Sequence, residues 1–225
     1  MTDADELQIT PPNTVDFRNE LLRKAIHMCS LSIPIGYSCL TRETTLWILI
    51  PTTLAFIIGD LLRSFHEPSY RLYNRIFGPM LRTHEKSATK KTLNGASWIL
   101  LSAIVCILAF PKVIAVTAFA ILIISDSSAA IIGRRFGTRR YRDKSLQGSI
   151  AFVISAWIVV LFTPKIGYLP GEYIAAGVAA IFGAVAEVFS FGIIDDNFAI
   201  PVSIGAVLWL SYLIFLPHLN VFLLG

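Results

Sequence analysis

The sequence predicts an all-α fold, a polytopic transmembrane helical bundle of about seven spans. Three observations carry that expectation. Of 225 residues, 55% are hydrophobic and only 15% are charged, where an average soluble domain carries about 25% charged residues. The mean hydropathy is +0.66. The apolar residues also stand in long blocks, which a soluble core does not require. No period-two alternation runs long enough for barrel strands. These features exclude a disordered chain, a nucleic-acid-binding domain and a disulfide-stapled secreted module, and they point to one bundle with no second soluble domain.

Residues 1–16 are acidic and polar, contain Pro11 and Pro12, and are followed by no small-residue cleavage site, so they read as a flexible tail rather than a signal. Residues 17–225 form the single transmembrane domain. A spanning helix needs about 20 mainly apolar residues. The candidate spans cover 25–40, 45–62, 96–110, 113–132, 149–162, 173–193 and 198–216, the shorter ones being completed by tilted or interfacial ends. Between spans two and three, residues 63–95 mix charges with Tyr70, Leu72, Tyr73, Ile76, Phe77 and Met80. That composition suits a helix lying in the membrane interface, joined through Gly78 and Pro79 to a polar stretch. Between spans four and five, residues 133–148 form a shorter basic loop. Cys29, Cys39 and Cys106 are odd in number, lack CxxC spacing and lie in apolar stretches, so they are expected to be buried, unpaired and inert.

The 19 Lys and Arg residues are unequally divided. Three precede the first span, seven lie between spans two and three, and six between spans four and five, all on one side. Only Arg42, Lys112 and Lys165 fall on the other side. The positive-inside rule then places the N-terminus in the cytoplasm and the C-terminus outside. Topology alone accounts for most of this excess, and both basic loops would also attract anionic headgroups and small anions.

The informative residues are the ionisable ones inside or at the ends of apolar spans, because a charge at a helix centre costs about 2.5–3.5 kcal/mol on insertion scales. They are His27, Asp60, Asp126 and Glu187, with Asp195 and Asp196 opening the last span. All fall in the cytoplasmic half. Transport needs polar groups through the whole membrane depth, so this distribution favours a site at one surface.

Helical spacing puts Glu20, His27 and one or both of Arg23 and Lys24 on one face. Snorkelling at a helix end accounts for the two bases but not for His27. Asp60 follows Gly59 and stands three residues before Arg63, so it is either half of a local ion pair or a site residue. Asp126, Ala130, Gly133 and Gly137 form a stripe without side-chain bulk, suited to close helix packing or to the approach of a phosphate chain. Arg134 and Arg135 crowd the exit of that span. Lys144-Ser145, with Gly148-Ser149 at the start of the next, offers an ammonium, hydroxyls and free N–H groups at a helix N-terminus. Those are the parts of a phosphate cradle, although the GxxxxGK[ST] order of a Walker A loop is absent. Glu187 lies among Gly183, Ala184 and Ser190. Asp195 and Asn197 have an ordinary explanation as cap or turn residues, and Glu187 has none. Carboxylates from several spans beside a basic rim suggest Mg²⁺, which accepts one or two carboxylates and takes its remaining ligands from phosphates and water.

Together these residues resemble the CTP-dependent polyprenol and lipid kinases: dolichol kinase, phytol and farnesol kinases, and the yeast-type diacylglycerol kinase. They are distantly similar to the phosphatidate cytidylyltransferases. The resemblance covers nearly the whole chain after Asp16. It runs through Glu20 to His27, Gly59-Asp60, then Arg82, Glu85 and Gly95, then Asp126 with Ala129, Gly133 and Gly137. It continues through Lys144-Ser145 with Gly148-Ser149 and ends on Glu187 with Asp196-Asn197 and Ile200-Pro201. No single piece is specific, and their order and spacing carry the likeness. The family commonly has a glutamate before the glycine of the Lys-Ser segment, where this chain has Gln147, so amide hydrogen bonding has to replace a charge there.

The resemblance implies transfer of the γ-phosphate of CTP to a lipid hydroxyl, yielding CDP and a lipid monophosphate. It implies Mg²⁺ on Asp126, with Glu187 or Asp196 helping, and Lys144 on the β/γ oxygens, with Arg134, Arg135 and Arg139 as weaker helpers. Ser145 and the Gly148 and Ser149 amides would cradle phosphate, with Gly133, Gly137 and Asn197 completing the nucleotide site. His27 or Asp60 would receive or orient the acceptor proton, and grooves between spans would hold the lipid tail. The partners expected are a lipid alcohol and a nucleotide, with no nucleic acid. The expected location is a bacterial cytoplasmic membrane, or the endoplasmic reticulum or plastid of a eukaryote, with the site facing the cytoplasm. Two other readings stand beside this one: a cytidylyltransferase, in which a lipid phosphate attacks the α-phosphate of CTP and pyrophosphate leaves, and a non-enzymatic transporter or scaffold.

Overall fold

The computed structural model describes residues 17–77, 93–141, 144–190 and 195–223. The helices among them are α1 (Phe17–Cys29), α2 (Ser32–Cys39), α3 (Arg42–Phe65), α4 (Glu67–Phe77), α5 (Gly95–Ala109) and α6 (Lys112–Phe136), followed by α7 (Leu146–Phe162), α8 (Pro170–Phe189) and α9 (Asp196–Phe215). A short antiparallel pair, β1 (Arg140–Tyr141) with β2 (Lys144–Ser145), precedes α7 and sets Arg140 opposite Ser145 and Tyr141 opposite Lys144. Helices α3, α6, α8 and α9 are long and apolar enough to cross a membrane. Helices α5 and α7 are apolar but shorter, at 15 and 17 residues. The protein is an integral membrane protein with an all-α bundle.

The expected first span is divided in two. Ser30 N–H donates to His27 O and Leu31 N–H to Met28 O, tight bonds that close α1. Pro34 explains the restart. It has no N–H to continue a helix from Ser30, and it is tolerated in the first turn of a new one. Four other starts, those of α3, α5, α7 and α9, are set by side-chain caps. Thr41, Asn94, Ser145 and Asp195 accept from Thr44 N (3.2 Å), Ser97 N (2.8 Å), Gly148 N (3.1 Å) and Asn197 N (2.9 Å), each satisfying an N–H that the helix leaves unpaired.

Helix α6 is the axis of the bundle. It is apolar on every face, as a helix with no solvent side must be, and it packs against α1, α2, α5, α7, α8 and α9. Of its most apolar stretch 78% is buried inside the protein, against 22% for α3, which lies at the periphery. Small residues bring the outer helices close. A Cβ placed on Gly177 would come within 2.2 Å of Trp157, one on Gly205 within 2.4 Å of Phe110, and one on Gly183 within 2.6 Å of Ile204.

Helix α3 is held at both ends. Arg42 Nη2 donates to Leu108 O at 2.5 Å. At the other end the Asp60 carboxylate accepts from Asn94 N (2.8 Å), Asn94 Nδ2 (2.9 Å) and Ser97 Oγ (2.7 Å). Pro51 interrupts the helix between these attachments. Helix α4 carries an exposed Arg71–Glu67 pair at 3.1 Å. The expected continuation through Gly78, Pro79 and Met80, with Arg82 and Glu85, lies outside the described residues. All three cysteines are free, but only Cys106 is buried; Cys29 and Cys39 are exposed. In a bundle whose outer surface is itself apolar, an apolar neighbourhood does not identify an inward face.

At the end of the bundle away from Asp126, buried Lys165 donates to Val160 O (2.8 Å), Thr163 O (2.8 Å) and Thr163 Oγ1 (3.0 Å). Glu172 accepts from the backbone N–H groups of Ile166, Gly167 and Leu169 and from Tyr212 Oη at 2.8 Å, fastening the α7–α8 connection to α9. Burial pushes Lys165 down to about 8, with Glu172 opposing it.

Two outcomes follow from this packing. Gly177→Ala drives a methyl into Trp157 and is expected to cost about 1–3 kcal/mol, seen as a lower melting temperature in detergent. Lys165 is held below its ordinary 10.5, so the unfolded chain binds more protons between the two values and stability rises with pH across that window. The melting temperature of the parent should therefore climb there, while that of Lys165→Met stays flat.

Candidate active site

The site begins with the register of α1. Glu20, Lys24 and His27, spaced four and three residues apart, share one helical face and are all buried. That face meets α6, where Asp126 is buried as well. The Lys24 ammonium pairs with Asp126 Oδ2, and His27 Nε2 lies 3.6 Å from the same oxygen. His27 Nε2 is buried and has no hydrogen-bond partner among the described residues. Snorkelling does not describe Lys24. Its stem runs inward, because a carboxylate shielded from water offers more than the interface does. Glu20 takes Arg23 Nη2 at 2.5 Å and Arg134 Nη2 at 3.2 Å. Burial would raise the Glu20 carboxyl, but Arg23, Arg134 and Lys24 together hold it below its ordinary 4.5.

A second group adjoins the first. The β1–β2 pair delivers Lys144, whose Nζ reaches Glu187 Oε1 on α8 at 2.8 Å and Asp196 Oδ2 on α9 at 3.3 Å. Burial works against the Lys144 charge, but the carboxylates of Asp196, Glu187 and Asp126 outweigh it and hold the ammonium above its ordinary range. Asp126 thus acts electrostatically on both lysines. Asp195 is the N-cap of α9, accepting from Asn197 N and from Asn197 Nδ2 at 2.6 Å, so the ordinary account of that residue holds. Asn197 is buried, and its Nδ2 would lie 3.5 Å from a Cβ on Gly95.

Several expected site residues have other partners. The stripe without bulk serves helix packing. A Cβ on Gly133 would lie 2.7 Å from Ser145 Oγ, one on Gly137 2.7 Å from the same atom, and one on Gly148 2.9 Å from Ala129 O. Ser145 Oγ accepts from Gly148 N and donates to Gly133 O at 3.3 Å, so the amide expected to meet phosphate is occupied by the cap. Ser149 is half-buried on α7. Asp60 holds α3 to α5 through three hydrogen bonds, in a different set of contacts from Asp126. Arg135 and Arg139 are exposed, Arg135 lying 5.5 Å from the centroid of the Phe136 ring. The Gln147 amide accepts from Thr138 N (3.2 Å) and donates to Thr138 Oγ1 (2.5 Å), holding the turn beyond α6. Both amide functions are used, and a carboxylate could perform only the accepting one.

Lys24 and Glu20 are the cluster members that reading by residue type passed over, although their spacing with His27 was already in the sequence. Among the described residues no group of three His, Cys, Asp or Glu side chains is arranged to hold a metal ion unaided. The structure instead gathers carboxylates paired with lysines. Glu187 Oε2 is buried without a hydrogen-bond partner among the described residues, which leaves a carboxylate oxygen for a cation arriving with its own phosphate and water ligands.

The chain is similar to several known proteins. The CTP-dependent diacylglycerol kinase 1 of Saccharomyces cerevisiae is 31% identical over 209 residues, covering 82% of this chain and 71% of that protein. The CTP-dependent diacylglycerol kinase 1 of Schizosaccharomyces pombe is 29% identical over 214 residues, covering 86% and 94%. A phytol kinase of Synechocystis is 33% identical over 96 residues, covering 39% of this chain and 40% of that one. No family model and no solved structure matches the chain.

Removing either charge of the Lys24–Asp126 pair strands the other away from water. Lys24→Met and Asp126→Asn should each cost about 3–5 kcal/mol, with the double variant recovering a substantial share. Melting temperatures in detergent measure the cycle, and simple additivity would contradict a direct pair.

Proposed function

The chain belongs to the family of CTP-dependent lipid kinases, and from that premise we propose that it transfers the γ-phosphate of CTP to the hydroxyl of a membrane lipid alcohol, releasing CDP and a lipid monophosphate. The observation that carries this reading is the convergence of Lys24, Asp126, Lys144, Glu187 and Asp196 from α1, α6, β2, α8 and α9 at one end of the bundle. Phosphoryl transfer depends on positioning and on neutralising charge rather than on covalent help from the protein. Lysines that already balance carboxylates can exchange partners when a triphosphate enters, giving their ammonium groups to phosphate oxygens.

In this reading Lys144 holds the β/γ oxygens, and its side chain, 27% exposed, gives it the reach to do so. Lys24 is a second phosphate ligand, and Arg134 and Arg135 form an outer basic rim. Asp126, Glu187 and Asp196 would hold Mg²⁺ carried in with CTP, which supplies further charge neutralisation. His27 is better suited than Asp60 to the acceptor hydroxyl, since Nε2 makes no hydrogen bond among the described residues while the Asp60 carboxylate accepts three. The hydroxyl oxygen attacks the γ-phosphorus, its proton passes to Nε2, and CDP leaves. The charge asymmetry of the connections supports a cytoplasmic position for this end of the bundle, where CTP would be available, with the acceptor approaching from the bilayer.

A turnover screen of the purified full chain with Mg²⁺, crossing nucleoside triphosphates with lipid alcohols and lipid phosphates, tests the proposal. CTP with a lipid alcohol should yield CDP and lipid monophosphate, and Asp126→Asn and Lys144→Ala should each lower turnover about a hundredfold or more. Formation of pyrophosphate and a CDP-lipid would overturn the kinase reading, and variants that match the parent would overturn the site.

A further inference from the structure

Asp60 is buried, at 3% exposure, and takes no part in the transfer step above. Burying a carboxylate is costly unless donors surround it, and here the donors come from the start of α5. Asp60 Oδ2 accepts from Asn94 N and Ser97 Oγ, and Oδ1 accepts from Asn94 Nδ2. With its Nδ2 held in this way, Asn94 presents Oδ1 to Ser97 N at 2.8 Å and caps α5. The carboxylate therefore fixes where α5 begins and which way its first turn faces.

That first turn meets the first turn of α9. A Cβ on Gly95 would lie 3.5 Å from Asn197 Nδ2, so a methyl group there would bridge the two helix starts. The Trp98 ring stands edge-on to Phe198, with centroids 5.9 Å apart. Asn197 donates through N and Nδ2 to Asp195 Oδ1, which closes the start of α9 around Asp196. Asp196 Oδ2 lies 3.3 Å from Lys144 Nζ. A continuous set of contacts thus runs from α3 through α5 and α9 to Lys144. The pairings of Lys24 and His27 with Asp126 join α1 to α6 and lie outside this route.

We propose that Asp60 is a positioning residue for the nucleotide half of the site: by setting the start of α5 it holds α9 where Asp196 and Lys144 meet the triphosphate and its cation. The assignment rests on the kinase reading above. It gives Asp60 a task at a distance from the reacting atoms.

Asp60→Asn keeps the shape of the side chain, but either orientation of the new amide sets N–H against N–H or turns Asn94 and uncaps α5. In detergent with Mg²⁺ it should raise both the Kd and the KM for CTP about tenfold, leaving KM for the lipid alcohol unchanged. Adding Asn94→Asp restores a complementary pair, since the amide then donates to a carboxylate that still caps Ser97 N. That swap should return both constants toward those of the parent. Trp98→Ala severs the next link and should raise them as well, less than additively when combined with Asp60→Asn. Gly177→Ala, which lowers stability elsewhere, should leave them unchanged. A purely structural Asp60 would lower the melting temperature and the active fraction with the Kd and KM for CTP unaltered, and that result overturns the assignment while the kinase reading stands. A change confined to KM for the lipid alcohol also overturns it, because that is the mark of a group on the acceptor. A parent that phosphorylates no alcohol overturns the kinase reading itself, and the Kd comparison then still decides the role of Asp60.

Discussion

A carboxylate shut away from water in a bundle clad in hydrocarbon is tolerated when a cation accompanies it, and Asp126 has Lys24. Much of the charged end follows from that pairing. Helix α1 is polar on average, and no apolar stripe alone would hold it against α6. It docks there because Glu20, Lys24 and His27 each find a charged or polar counterpart on the facing surface. Asp126 in turn reinforces the charge of Lys144, which binds the start of α9 to the end of α8. Charge neutrality in a low-dielectric setting thus joins helices that the chain separates by as many as a hundred residues.

The contact between α6 and α7 shows how backbone economy serves the same end. Gly133, Gly137 and Gly148 let α6, Ser145 and the first turn of α7 approach one another, and Ser145 closes the junction by capping α7. Ser145 is also the second residue of the short β2 strand, so Lys144 beside it is aimed by a paired strand and a capped helix start. Gln147 secures the other flank through Thr138.

The helical class, the membrane-spanning blocks and the face shared by Glu20 and His27 were legible in the sequence, because each depends on periodicity or on the cost of a charge in an apolar run. Reading the glycine stripe as a packing surface was possible too, but nothing local decides between a neighbouring helix and a ligand. The destination of Lys24 was not legible. Whether a long basic side chain turns outward or inward depends on a carboxylate 102 residues away in the chain. The break between α1 and α2 lay in plain view at Pro34, hidden by the even hydrophobicity around it. The bonds from Asn94 and Ser97 to Asp60 cross a long charged connection, so nothing near Asp60 in the chain announces them.

The two-point attachment of α3 has a mechanical consequence. A rod moored at its tips by Arg42 and Asp60, lightly embraced along its length and notched at Pro51, bows more readily than it detaches, since a proline costs the helix an internal hydrogen bond where bending is easiest. Such a rod behaves as a sprung wall. A load on its middle is met by bending there, while the two moorings keep their places.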